Sequence, residues 1–225
     1  MTGGKIPKWE AELWSYVSRG DGMRCPIYSH CPLRRKNNYC PDDSKESINQ
    51  LIDSERFDSN YYCKWEIFGG PFKKVEMLAQ SCLRKGKVRS PPVPTQLILL
   101  ADEKHPISIH PLPLKAYHGA IWHLKEGWVI QLNDGETSAD NRFTLFHEAF
   151  HILAHCRSTP VFRKRDTVQG CFNEMLADYF AICILMPRKW VQEKWVQVKD
   201  ADTMAEMFDV PKVAMGLRLK TLHLI

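Results

Sequence analysis

The stretch His147-Glu148-Ala149-Phe150-His151 constrains the fold of this chain more than any other, because its chemistry works only inside a helix. At about 3.6 residues per turn, histidines four positions apart project from one face. Both imidazoles can then grip one metal ion, and the glutamate between them reaches a water on that ion. That arrangement performs hydrolysis. The pattern fixes few positions and also arises in structural amphipathic helices, so a third ligand is required.

A downstream segment supplies one. Hydrolytic zinc usually takes three protein ligands and keeps a fourth position open. In Asn173-Glu174-Met175-Leu176-Ala177-Asp178-Tyr179-Phe180-Ala181, helical periodicity puts Glu174 and Asp178 on one face, one turn apart. Glu174 is the natural third ligand. Asp178 can accept a hydrogen bond from the outer nitrogen of a ligand histidine and fix its aim. The competing reading makes both acids solvent-facing. Against it, Leu176, Ala177, Phe180, Ala181, Ile182, Ile184 and Leu185 leave little of this helix to face water.

His155 continues the histidine face but lies eight residues beyond His147, about 12 Å along a continuous helix, too far to share an ion. It reads as a supporting or capped histidine, and Cys156 as a small buried residue.

Asn141-Arg142-Phe143-Thr144-Leu145-Phe146 precedes the histidine motif, Ile152-Leu153-Ala154-His155 follows it, and Glu174 to Ala181 and Leu185-Met186-Pro187 come later. Together they resemble the ImmA/IrrE family of metallo-endopeptidases, whose members show an RFTLAHELGHLLLH-like block and then an E-x-x-A-N-x-F-A-x-x-L-L-M-P block. The chain departs from that pattern at Ala149-Phe150, where Phe150 is expected to narrow the cleft, and at Asp178, where the family often has Asn. The resemblance covers about residues 90–225. It implies a zincin-like α+β fold and cleavage of a regulatory protein, such as a helix-turn-helix repressor.

The order of elements fits an α+β plan. After the proline-rich Ser90 to Pro94, a first helix is expected at Gln96 to Ala101. Ile107-Ser108-Ile109 and Gly127 to Asn133 read as strands, with an exit turn at Asn133-Asp134-Gly135. The tail has two short apolar-periodic segments, broken at Asp209-Val210-Pro211. They resemble half of a helix-turn-helix, in which Lys212, Arg218 and Lys220 would meet phosphates if DNA were bound. A helical lid or substrate-docking unit is the main reading of this tail, and direct DNA binding the competing one. The expected division is residues 1–89 as a cysteine-containing region of unknown role, 90–200 as the metallopeptidase domain and 201–225 as the helical tail.

The formal net charge of +5 is too mild to demand a nucleic-acid partner, and part of the excess lies in Arg84 to Arg89, read as a solvated linker. No amino-terminal apolar stretch points to export and no segment reads as a membrane span, so a cytoplasmic protein is expected. Eight cysteines then call for an explanation other than disulfides. Cys25, Cys31 and Cys40 each precede a proline, which suits tight loops holding thiolates, and His30, Cys63 or Cys82 would complete a site. A second, structural zinc, an iron–sulfur cluster and unligated thiols all remain open. Cys171 and Cys183 read as core residues. Trp9, Leu13, Trp14 and Val17 share one helix face, Ser47 to Ile52 begin another helix, and Trp65, Ile67 and Phe68 form a short packed element.

The expected function is a zinc-dependent endopeptidase, with His147, His151 and Glu174 as ligands, Glu148 as general base and Asp178 behind the ligands. Tyr179, His155, His118 and His123 are candidate oxyanion donors. Two alternatives stand beside it: a regulatory protein- or DNA-binding module retaining the fold, and a metal-dependent hydrolase of a non-peptide bond.

Overall fold

The computed structural model describes residues 6–18, 70–114, 118–157 and 168–225. Cys25, His30, Cys31, Cys40, Cys63, the segment 47–52 and Trp65 to Phe68 lie outside the described residues.

Helix α1 (Lys8–Ser18) buries Leu13, Trp14 and Val17, as their spacing predicts. Helix α2 (Pro71–Lys85) was not foreseen. Proline in its first turn costs no hydrogen bond, and Phe72, Val75, Leu78, Ala79 and Leu83 form its buried stripe. Arg84 and Lys85 are therefore not linker. They form the last turn of α2, where positive charge complements the helix carboxyl end, and Lys85 pairs with Glu103.

The helix expected at Gln96 is instead a short 3₁₀ turn, Thr95–Leu100, which buries Leu97 and Ile98. With Pro94 before it and a bend at Ala101 after it, the segment has no room for a longer helix. Strands β1 (Ile107–Leu112), β2 (Gly119–Leu124) and β3 (Gly127–Asn133) form a sheet of order β1-β3-β2. β1 runs parallel to β3 and β2 antiparallel to it. Trp128, Ile130 and Leu132 alternate into the core, and the register sets His123, Ile121 and Gly119 beside them on the same face. Gly135 donates its backbone N–H to Asn133 Oδ1 at 3.1 Å, closing the expected exit turn.

Helix α3 (Ser138–Arg157) carries the histidine motif. It is not amphipathic. Phe143, Leu145, Phe146, Ala149, Phe150, Ile152, Leu153 and Ala154 bury it on nearly every side. Phe150 does not narrow the cleft; it packs in the core, 6.0 Å from Trp14 and 5.6 Å from Phe180 between ring centroids. Helix α4 (Val168–Leu185) is buried continuously from Met175 onward, Cys183 included. Pro187 starts α5 (Arg188–Val198), and α6 (Ala201–Phe208) and α7 (Lys212–Thr221) follow, separated at Asp209-Val210-Pro211 as the sequence predicts.

These elements share one hydrophobic core, from Leu13 in α1 to Leu222 after α7, and the fold is α+β. Among the described residues no helix is long and apolar enough to cross a membrane.

Candidate metal centre

Helices α3 and α4 lie against each other and bring together the residues that periodicity singled out. Nε2 of His147 stands 3.1 Å from Nε2 of His151. The Glu174 carboxylate completes the triangle, 3.4 Å from His147 Nε2 and 3.5 Å from His151 Nε2. Donors bound to zinc at its usual lengths stand about 3.3 Å apart along the edges of a tetrahedron. The spacing and the donor set, two imidazoles and a carboxylate, therefore fit a zinc ion with one position left open. Among the described residues this is the one group of three histidine, cysteine or acidic side chains gathered within 4.8 Å.

The electrostatics favour a cation at the same point. Burial opposes the charged form of His147, yet the carboxylates of Asp178 and Glu174 outweigh it and raise the imidazole well above its ordinary range. Burial pushes His151 the other way, toward the neutral form that ligates metals. Asp178 Oδ1 lies 2.7 Å from His147 Nδ1. A carboxylate can only accept, so Nδ1 carries the proton and Nε2 points to the shared site.

Glu148 sits one residue past His147, buried, and its charge acts on His151. Strand β2 passes directly over it. A Cβ on Gly119 would stand 3.4 Å from Glu148 Oε1 and 2.5 Å from Thr144 Cγ2, so only glycine lets the strand approach this closely. The sequence reading missed Gly119. An isolated glycine before the apolar run Ala120-Ile121-Trp122 was the available signal, since such glycines often mark a close backbone approach.

The remaining residues singled out by sequence lie elsewhere. Tyr179 is buried, edge-on to Phe72 at 5.2 Å and hydrogen-bonded to Cys183, so it does not face the cleft. His118, next to Gly119, bonds Glu136 through its ring. His123 and His155 gather around Trp128 instead of the metal group. Cys156 is exposed, not buried, and donates to Asp102 at 3.2 Å. Cys82 is half-buried on α2. Arg218, which would meet phosphate only if the tail bound DNA, is wholly buried and donates to the Met186 carbonyl at 3.0 Å. Lys212 pairs with Asp202 at 2.6 Å.

Among curated proteins none matches the chain. Among solved structures, a Mycobacterium tuberculosis transcriptional regulator aligns with a TM-score of 0.51 and 16% identity, over 64% of this chain and 46% of that one. This chain thus spans less than half of that protein, and at such low identity the likeness concerns the fold alone. The model of the peptidase M78 family, described as the IrrE N-terminal-like domain, matches residues 102–220, a span that includes His147, Glu148, His151, Glu174 and Asp178. That match takes in more than half of the sequence, and the chain belongs to this ImmA/IrrE peptidase family.

Proposed function

We propose that the chain is a zinc-dependent endopeptidase of zincin type, acting on a regulatory protein such as a helix-turn-helix repressor. The observation that carries this reading is the convergence of His147, His151 and Glu174 within 4.8 Å, with Glu148 on the same helix. These three side chains would hold the ion. When bound, zinc supplies Lewis acidity to the water and carbonyl groups within reach.

The chain's own residues do the rest. Glu148 takes the proton of the attacking water and passes it to the departing amine, so the new carboxyl group gains the water oxygen and the amine leaves protonated. Asp178 holds His147 in the ligating tautomer. Among the described residues no strand pairs with the outer edge of β2, so its backbone can accept an extended peptide as a further strand beside Glu148.

The alternative of a binding module on the same fold has less support. A purely structural metal has no need of a base, and a DNA-reading role for α7 would have to work without Arg218, which is buried. The test is hydrolysis in H₂¹⁸O with a helix-turn-helix repressor as substrate, read by mass spectrometry. The reading expects one ¹⁸O at the new carboxyl terminus, product formation abolished by a chelator and restored by zinc. Intact repressor under all conditions would contradict it.

A further inference from the structure

Strand β2 sets a large apolar side chain in water. Its register pairs Ile121 with the buried Ile130 and Trp122 with Val129. Gly119 and Ile121 belong to the face that meets α3, so Trp122 stands on the face turned away from that helix. Trp122 is 54% exposed, and Leu124, two residues on along the same face, is 50% exposed. The indole is nevertheless held in place, its Nε1 donating to Gln131 Oε1 of β3 at 3.2 Å. Gly119 to Leu124 contains no proline, lysine, arginine or acidic residue. Edge strands left open to water usually carry such residues, which keep other chains from pairing with them. Among the described residues β2 is thus an unguarded edge with a fixed aromatic side chain beside it.

We infer that Trp122 determines specificity in the peptidase reaction proposed for this chain, selecting substrates with an aromatic or branched aliphatic side chain about three residues from the bond cleaved. The inference rests on that reading and on a substrate that runs along β2 as an added strand. Gly119 lies beside Glu148, and Trp122 is three residues farther along the same strand, about 10 Å at the rise of an extended chain.

A peptide added to the edge advances at the same rise and alternates between faces in step with β2. The residue opposite Trp122 therefore lays its side chain against the indole, and the residue opposite Leu124 adds to the same apolar contact. Ala120, on this face nearer the base, offers little surface, so Trp122 is the first large side chain that the substrate meets there. Backbone pairing holds any extended chain alike, and selection falls to such side-chain pairs. Aromatic and β-branched partners gain most beside a tryptophan.

The test uses the full chain loaded with zinc and a proteome-derived mixture of peptides, with every cleavage site read by mass spectrometry. The parent should enrich aromatic and branched aliphatic residues at one position about three residues from the cleaved bond. Two synthetic peptides then differ only there, phenylalanine against serine, and the parent should favour phenylalanine by about 3- to 10-fold in kcat/KM. Trp122→Ala should remove that preference. Trp122→Lys should move the enrichment at the same position toward acidic residues, which a merely structural indole would not do. Zinc content and melting temperature, measured on each protein, establish that the variants are folded. Cleavage by the parent and both variants with one and the same sequence profile would overturn the inference and leave the peptidase reading standing. Absence of cleavage by all three proteins would overturn both. A parent that is dimeric by light scattering and made monomeric by Trp122→Lys would assign the edge to a second copy of this chain and overturn the inference as well.

Discussion

His147 meets His151 and Glu174 through Nε2 and Asp178 through Nδ1. Replacing Glu174 with Ala leaves two imidazoles, too few to close a hydrolytic site, so zinc measured after dialysis against a chelator should be lost along with activity. Full zinc occupancy in Glu174→Ala would remove that residue from the ligand set. Asp178→Ala should retain the ligands but loosen their aim, lowering zinc affinity by about 10- to 100-fold. Asp102 makes a different prediction. Burial disfavours its charge, but hydrogen bonds from Trp128, His105, Lys104 and Cys156 prevail and hold its pKa well below the usual carboxylate range. Its contribution to stability is therefore fully present above an unfolded-state pKa of about 3.9 and lost as pH falls through the lower folded value. Asp102→Asn should cost about 1–3 kcal/mol at pH 7, measured by urea unfolding with chelator present, and the gap from the parent should close only in acid below pH about 4. A constant gap down to pH about 2 would contradict this. The Glu174 and Asp178 placement was legible in the sequence because it follows from helical period alone. The surroundings of Phe150, Cys156 and Arg218 were not, because each is decided by an element distant in the chain.

At the scale of elements, β2 sets the approach to Glu148. Gly119→Val would drive a side chain into Thr144 and the carboxylate, displacing the strand. Cleavage rate should fall at least tenfold with zinc content unchanged, because no ligand residue lies on β2; an unaltered rate would mean that the strand does not border the reaction. The tail is an element of another kind. Arg218, buried on α7, holds the Met186 carbonyl at 3.0 Å and lies 3.7 Å from Glu76 of α2, which also meets Arg188 at 3.5 Å. Its truncation to Ala should destabilise the fold by about 2–4 kcal/mol in denaturant unfolding, since it leaves a cavity and an unpaired carbonyl. The strands β1 and β3 and the break at Asp209-Val210-Pro211 could be read from sequence, because alternation and proline act locally. The helices α2 and α5 were missed: charge at Arg84-Lys85 masked the end of one, and the other carries its polar residues toward water with only Val191 fully buried.

The molecule as a whole rests on more than the family segment. The matched residues begin at 102, yet α1 and α2 contribute to the core that encloses α3 and α4, with Trp14 against Phe150 and Phe72 against Tyr179. A chain starting at residue 90 exposes those surfaces, and is expected to aggregate or lose zinc on purification. Hydrolysis by a base on α3, at a metal held by His147, His151 and Glu174, depends on Glu148, and Glu148→Gln isolates that residue. Glutamine keeps the size and removes the base, and Glu148 is not among the three converging ligands. Cleavage of the repressor substrate, measured beside zinc content and melting temperature, should fall at least about 100-fold while both of those stay unchanged. A Glu148→Gln protein that loads zinc normally and cleaves at the parental rate would contradict the account.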